Sequence, residues 1–410
     1  MNVNLPIKRL HLHLKKNSIK ISLAIILFLC LFLFLATTSV SKNIELVKKP
    51  PIQTALTEKP PFLIEQYPEK DTKTVHHKMD SLLKRINKRH DFNGAILIAK
   101  NEKIVYSNQI GIADFKKKAP LHKESIFQLA SVSKQFTAAA IMLLTERDKI
   151  KLTDTVNVYF PDFPYKNVTI KNLLNHTSGL PKYFWVAEHK WNQEKAPINS
   201  EMMELLETSN VQRFFKPGRN FDYSNTGYLV LASIVEKVSG ISFSAFLKSN
   251  IFEPLQMKNS YVYSFENDSV RKNQLNGYRL HRGWRHIKIR GSVNDAIVGD
   301  ENVYTTAEDL YRWTQGLNTG RLLTKESLEL MYSKGETVYG REVPYGFGFR
   351  IDTKGQKSIY HHGKWNGFST GLTKYLEDDL VVIVLEHTSY RGMQSLKKKI
   401  RKIVTENFRS

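Results

Sequence analysis

The stretch "FTAAAIMLL", Phe136 to Leu144, constrains the fold more than any other. Its residues are apolar on every side, whereas a helix lying on a protein surface shows one apolar stripe at a period near 3.6. Such a helix is stable only when neighbours cover it all round, so it must be the central rod of a large domain. At 410 residues, 41% of them hydrophobic, the chain can supply that cover. Cys30 is the only cysteine, so no internal disulfide holds the domain and its core must. Yet Ser131, Ser133 and Lys134 stand directly ahead of the rod, two hydroxyls and an amine at the mouth of a buried helix.

Residues 1–20 carry Lys8, Arg9, Lys15, Lys16 and Lys20 without an acid, and "ISLAIILFLCLFLFLATTSV" follows from Ile21 to Val40. The apolar run exceeds the roughly 7 to 15 residues of a cleavable signal core and approaches the ~20 that span a bilayer. Residues 1–20 are therefore expected to be a basic cytoplasmic N-terminus and 21–40 a transmembrane anchor, or a signal peptide if "ATTSVS" is cut. Residues 41–77, rich in Lys, Pro and Thr, read as a linker, and 78–410 as the folded domain. This places the domain in the cell envelope, outside the cytoplasmic membrane, and secreted or periplasmic if the leader is removed. The net charge of +22 could signal nucleic acid, an anionic membrane surface or an acidic wall polymer. Export removes nucleic acid from that set, and the N-terminal helix makes the membrane a partner.

"GAILIAKNEKIVYSNQIGIAD", Gly94 to Asp114, predicts a β-hairpin around an Asn-Glu-Lys turn. A helix is predicted over "TGYLVLASIVEKVSG", with Tyr228, Leu231, Val235 and Val238 on one face and Gly240 as its stop. Near the C-terminus "YGFGFRI", "GFSTGLTKYL" and "DLVVIVLEH" predict consecutive antiparallel strands. A helix from Met393 to about Asn407 closes the chain, with Leu396, Ile400 and Val404 toward the sheet and Lys397 to Lys399 expected on its solvated face. Strands at both ends and helices between describe one α+β domain, an antiparallel sheet flanked by helices with an all-helical insert.

Ser131 and Lys134 form S-x-x-K, a spacing that puts both side chains on the same side of a helix. The helix N-terminus offers free N–H groups and positive potential, which favour a developing alkoxide. An amine held beside a serine hydroxyl there is a candidate general base for a nucleophile. The plainer alternative has Ser131 capping the helix and Lys134 reaching back to water. The pattern alone is weak, for it recurs at Ser39, Ser81, Ser269 and Ser395. A second pattern strengthens it: Tyr223 and Asn225 precede a buried helix in "PGRNFDYSNTGYLVLASIVEKVSG". Another Tyr-Ser-Asn begins at Tyr106, inside the predicted hairpin.

With these residues the chain resembles the serine β-lactamase-like family of class C β-lactamases, penicillin-binding D-Ala-D-Ala carboxypeptidases, D-aminopeptidases and related esterases. The resemblance runs over about residues 80–405 through "ASVSKQFTA", "LLNHTSGLP", "PGRNFDYSNTGYLVLASIVEKVSG", "IFEPLQM", "VYTTAEDL" and "HHGKWNGF", in family order. It implies the β-lactamase/transpeptidase-like fold and a serine hydrolase needing no cofactor and no metal. Ser131 would be the nucleophile, Lys134 its base partner, Tyr223 the proton relay and Asn225 a holder of Lys134 and substrate. The family's Lys-Thr-Gly motif falls on His361-His362-Gly363, with histidine in place of lysine, as in many of its esterases and peptidases. Lysine supplies a fixed charge for a substrate carboxylate, and histidine supplies one only below its pKa. Family geometry further makes the N–H groups of Ser131 and Lys364 an oxyanion hole. The expected substrates are small esters or D-aminoacyl and peptide compounds, cell-wall derived among them, with a penicillin or a D-Ala-D-Ala terminus as the alternative.

Competing readings are opposed by particular residues. "GFSTG" matches the G-x-S-x-G elbow and nominates Ser369, but the elbow needs a helix after the serine and "LTKYLEDDLVVIVL" reads as strand, turn, strand. His361 and His362 suggest zinc, but neighbours on a strand point to opposite faces and no H-E-x-x-H occurs among 13 histidines. His176, in "NHTSGLP", reads as structural as readily as catalytic. A non-catalytic sensor of wall peptides or antibiotics is opposed by the joint presence of Ser131, Lys134, Tyr223 and Asn225.

Overall fold

The computed structural model describes residues 63–192, 194–263, 271–292, 294–355 and 357–408. The expected cytoplasmic segment, the anchor and residues 41–62 of the linker lie outside them. Helix α1, Glu69–His90, has acids in its first turn and bases in its last, and buries Val75, Met79, Leu82, Leu83 and Ile86 at helical spacing. It starts within the stretch expected to be linker: the prolines end at Pro68, while the apolar period becomes legible only at Val75.

Strands β1, Gly94–Lys100, and β2, Lys103–Ile110, form the predicted hairpin. The C-terminal strands are β3, Arg350–Asp352; β4, Ser358–Trp365; β5, Phe368–Tyr375; and β6, Leu380–Glu386. Together they make one antiparallel sheet in the order β3-β4-β5-β6-β1-β2. The two ends of the domain meet where β1 pairs with β6, from Gly94 opposite Glu386 to Lys100 opposite Leu380. Side chains alternate between two cores. Ala95, Leu97, Ala99, Val381, Ile383 and Leu385 face the larger one, and Ile96, Ile98, Val382 and Val384 face the smaller one beneath α1.

Four further helices position the site: α2, Lys134–Glu146; α3, Asn225–Ser239; α4, Ala307–Asn318; and α5, Met393–Asn407. Every residue of α2 from Lys134 to Leu144 is buried, as an all-apolar rod requires. Phe136 packs on Trp313 of α4 with ring centroids 4.2 Å apart. Helix α3 ends at Gly240, whose φ of 73° is the left-handed conformation that closes a helix most readily without a Cβ.

The insert is not all-helical. Phe127–Gln128, Val303–Thr305 and Tyr261–Val262 form a three-stranded sheet, and Tyr278–His281 pairs with Arg285–Lys288 as a separate hairpin. Strands of two to four residues are too short for a period of two to register in the sequence. Lys397 is a second correction, being only 5% exposed while Lys398 and Lys399 are solvated. It lies one turn after Met393 and beside the Leu396–Ile400 stripe, and therefore faces the sheet.

Candidate active site

Ser131 lies in a 3₁₀ turn, Ala130–Ser133, that leads into α2 with Lys134 as the first α-helical residue. Ala130 has φ 48°, a left-handed conformation uncommon for a residue with a Cβ, and it turns the chain sharply between the short strand Phe127–Gln128 and the helix. Ser133 is fastened, its Oγ accepting from Val303 N at 3.0 Å. Lys134 is fully buried and does not reach water. Its Nζ donates to the Asp300 carbonyl at 3.0 Å and lies 3.5 Å from Ser131 Oγ. The same amine sits 5.1 Å from the Tyr223 ring centroid and 5.5 Å from that of Tyr228.

Ser224 caps α3 by accepting from Gly227 N, which leaves Tyr223 just outside the helix and Asn225 at its first residue. The Tyr223 hydroxyl is buried with no hydrogen-bond partner among the described residues, as is Oδ1 of Asn225. Asn225 Nδ2 donates to Glu301 Oε1 at 3.2 Å. By contrast, Tyr106 of the second Tyr-Ser-Asn donates to Asp80 at 2.7 Å, and Asn108 donates to the same carboxylate at 3.0 Å, far from the cleft on the α1 side of the sheet.

The third motif lies on β4, and Gly363 permits its approach. A Cβ there would stand 2.1 Å from the Leu129 carbonyl oxygen and 2.9 Å from Ala130 Cβ, so strand and turn touch only because this residue is glycine. Trp365 and Phe368 flank the two-residue turn Asn366-Gly367 and form its closing pair. The antiparallel alternation then leaves the Lys364 N–H directed away from β5, on the edge that faces the Ser131 turn. The Lys364 side chain is exposed.

His361 is buried. Its Nδ1 donates to the His362 carbonyl at 2.8 Å, so Nε2 is the acceptor for the Tyr345 hydroxyl at 2.9 Å. Burial first, then the charges of Lys134 and Arg350, hold this imidazole well below its usual pKa. A neutral histidine that orders Tyr345 cannot act as an anion clamp. His362 points to the other face of β4, toward Lys397 and Gln394, so the two rings do not converge on one point. His176, also buried and also held below its usual pKa by burial first and the Lys134 charge next, accepts from Ser224 N at 3.1 Å. Its ring lies 4.3 Å from those of Tyr223 and Tyr345 and supports both. Ser369 is inside β5, which runs on to Tyr375, so no helix follows it.

Three site residues escaped the sequence reading. Arg350 on β3 places its guanidinium 5.1 Å from the Tyr223 ring and 5.9 Å from that of Tyr345, giving the cleft a fixed cation that His361 does not provide. Asp300 and Glu301 are buried beneath Lys134 and Asn225. Burial raises both carboxyls above their usual range, and for Glu301 the neighbouring Asp300 adds to the effect. The available signals were a lone arginine in the apolar strand "YGFGFRI" and adjacent acids in the apolar stretch "AIVGDENVYTT".

The model of the Beta-lactamase family matches residues 79–405, spanning all of these motifs. The chain belongs to the β-lactamase family. It is a serine hydrolase of that family's fold. Among its relatives, penicillin-binding protein 4* of Bacillus subtilis is 33% identical over 329 residues, covering 78% of this chain and 72% of that protein. The teichoic acid D-alanine hydrolase of Staphylococcus aureus is 25% identical over 364 residues, 87% of each chain. A penicillin-binding protein from Bacillus halodurans superposes with a TM-score of 0.68 at 26% identity, covering 78% of this chain and 98% of that one.

Proposed function

We propose that the chain is an exported, membrane-anchored enzyme that cleaves small esters or D-aminoacyl and peptide substrates, cell-wall compounds among them, through an acyl-enzyme on Ser131. The observation that carries this reading is the Lys134 amine, buried between Ser131 Oγ at 3.5 Å and the Asp300 carbonyl at 3.0 Å, beside a Tyr223 hydroxyl with no partner among the described residues. Ser131 Oγ attacks the carbonyl carbon and its proton passes to the Lys134–Tyr223 pair. Tyr223 then protonates the departing alcohol or amine, and water attacks the acyl-serine to release the acid and restore the hydroxyl. The N–H groups of Ser131 and Lys364 hold the oxyanion, where one donor typically contributes ~10² to 10³ in rate. Asn225 helps hold Lys134 and the substrate.

The relative named for teichoic acid D-alanine hydrolysis supports a D-alanyl ester as substrate. The second reading, cleavage of a penicillin or a D-Ala-D-Ala terminus, is favoured by Arg350, whose fixed charge suits a substrate carboxylate. Full-length protein in detergent decides between them on a D-alanyl ester, a D-aminoacyl amide, a D-Ala-D-Ala peptide and a penicillin. A kcat/KM at least ~10-fold higher on the ester or amide, about 1.4 kcal/mol, supports the first reading. A penicillin hydrolysed faster than any ester or D-aminoacyl compound supports the second. A phosphonate or penicillin probe that labels Ser131 with no turnover of any substrate would leave only a sensor.

A further inference from the structure

The hairpin formed by Tyr278–His281 and Arg285–Lys288 starts against the Asn366-Gly367 turn, contributes none of the site residues described above, and is one-sided in composition. "YRLHRGWRHIKIR", Tyr278 to Arg290, carries Arg279, Arg282, Arg285, Lys288 and Arg290 and no acid. All five cations are exposed, and none takes part in an ion pair among the described residues. One face of the hairpin is held. His286, opposite Leu280, pairs with Asp91 at 2.7 Å and stacks on Phe115 with ring centroids 3.6 Å apart, while at the base Tyr278 N donates to the His387 carbonyl at 2.8 Å.

The tip is free. Arg282, Gly283 and Trp284 connect the strands, and an added Cβ at Gly283 would meet nothing within 4 Å. Trp284 is 73% exposed and Leu280 40%. Pairing of His281 with Arg285 and Arg279 with Ile287 puts these four residues on one face. A two-stranded hairpin is marginal alone, and exposing a tryptophan at its end adds nothing to folding. The same ring suits the headgroup layer of a bilayer, with its apolar body inward and its N–H in the wet zone. Flanking arginines supply attraction to anionic lipid. A convex tip presses into a surface; it offers no groove along which a soluble polymer could lie.

We propose that this hairpin docks on an anionic phospholipid surface, with Trp284 entering the headgroup layer and Arg279, Arg282 and Arg285 meeting lipid phosphates. The contact is independent of the hydrolytic chemistry, since none of these residues belongs to the cleft. Full-length protein reconstituted into vesicles of phosphatidylcholine, with or without phosphatidylglycerol, tests it when the acyl chains are brominated near the headgroup and quench tryptophan on contact. The expected result is quenching that requires phosphatidylglycerol and is absent in Trp284→Phe. The triple variant Arg279→Gln/Arg282→Gln/Arg285→Gln should weaken the docking equilibrium that the quenching reads by about 10²-fold, each arginine contributing about five-fold. Near-UV circular dichroism confirms the fold of each variant without reference to activity. Quenching that is the same without phosphatidylglycerol, or unchanged in Trp284→Phe, overturns the proposal. It also fails if soluble poly(glycerol phosphate) shifts the Trp284 emission and displaces the protein's hairpin from vesicles at equal phosphate, which would make the surface a polymer site.

Discussion

Two lysines are buried on opposite faces of β4, each beside one histidine of the same dipeptide. Lys134 lies on the cleft side with His361, and Lys397 lies on the α5 side with His362. Lys134 meets a serine hydroxyl, a backbone carbonyl and the unpartnered hydroxyl of Tyr223. Among the described residues Lys397 meets only neutral groups, His362 Nε2 and Thr373 Oγ1 at 3.0 Å each and the Tyr360 ring at 5.0 Å. Burial alone pushes the Lys397 amine down to about 7. A buried amine is thus not by itself a sign of chemistry. Both amines have a hydroxyl within reach, but Thr373 is buried, whereas Ser131 is partly exposed and stands with Lys134 beside the unpartnered Tyr223 hydroxyl.

The largest expected effect tests the cleft side itself. Ser131→Ala should lower kcat by ~10⁴ or more and abolish covalent labelling, whereas Ser369→Ala should keep the label. Labelling that survives in Ser131→Ala and is lost in Ser369→Ala would move the nucleophile to β5. Next, Lys134→Ala should cost ~10³ and Tyr223→Phe ~10² in kcat, within the range of general acid–base groups. Because one proton path joins them, the double variant should lose less than the product of the two. Fully multiplicative losses would mean that the amine and the phenol act separately.

A smaller effect concerns the fixed cation. Arg350→Ala should lower kcat/KM for a penicillin or a D-Ala-D-Ala peptide by roughly 10- to 100-fold, the range of a hydrogen bond to a charged group. It should change a neutral ester by no more than about 3-fold, and equal losses on both would assign Arg350 to holding Tyr223 and Tyr345 in place. The smallest effect on activity belongs to the other lysine. Lys397→Met should leave kcat within about 3-fold, with Gln394 still donating to His362 Nε2 at 2.9 Å. Its signature is pH-dependent stability. The folded pKa of Lys397, about 7, lies below its ordinary 10.5, so between these values the unfolded chain binds more protons and stability rises with pH. Urea unfolding should show that rise in the wild type, at up to ~1.4 kcal/mol per pH unit, and a flatter profile in Lys397→Met. Identical profiles would remove the contrast between the two lysines.

The sequence by itself determined what depends on local spacing. The all-apolar run announced α2, the apolar period and Gly240 bounded α3, and the short apolar runs separated by turns at both ends of the domain announced the sheet. S-x-x-K and Tyr-x-Asn were legible because each sits at the start of a buried helix, the first with a three-residue separation that puts both side chains on one side and the second straddling the cap at Ser224. Only the tertiary structure decided which of several similar patterns counts. Tyr106 shares its tripeptide with Tyr223 yet is spent on Asp80, and the residues of Lys397–Lys399 divide between sheet and solvent. Arg350, Asp300 and Glu301 reach the cleft from segments distant in sequence from Ser131, and His361 loses its charge to burial and to cations contributed by α2 and β3. No local spacing encodes these effects, because the field at a buried group is the sum over whatever chain segments packing brings around it.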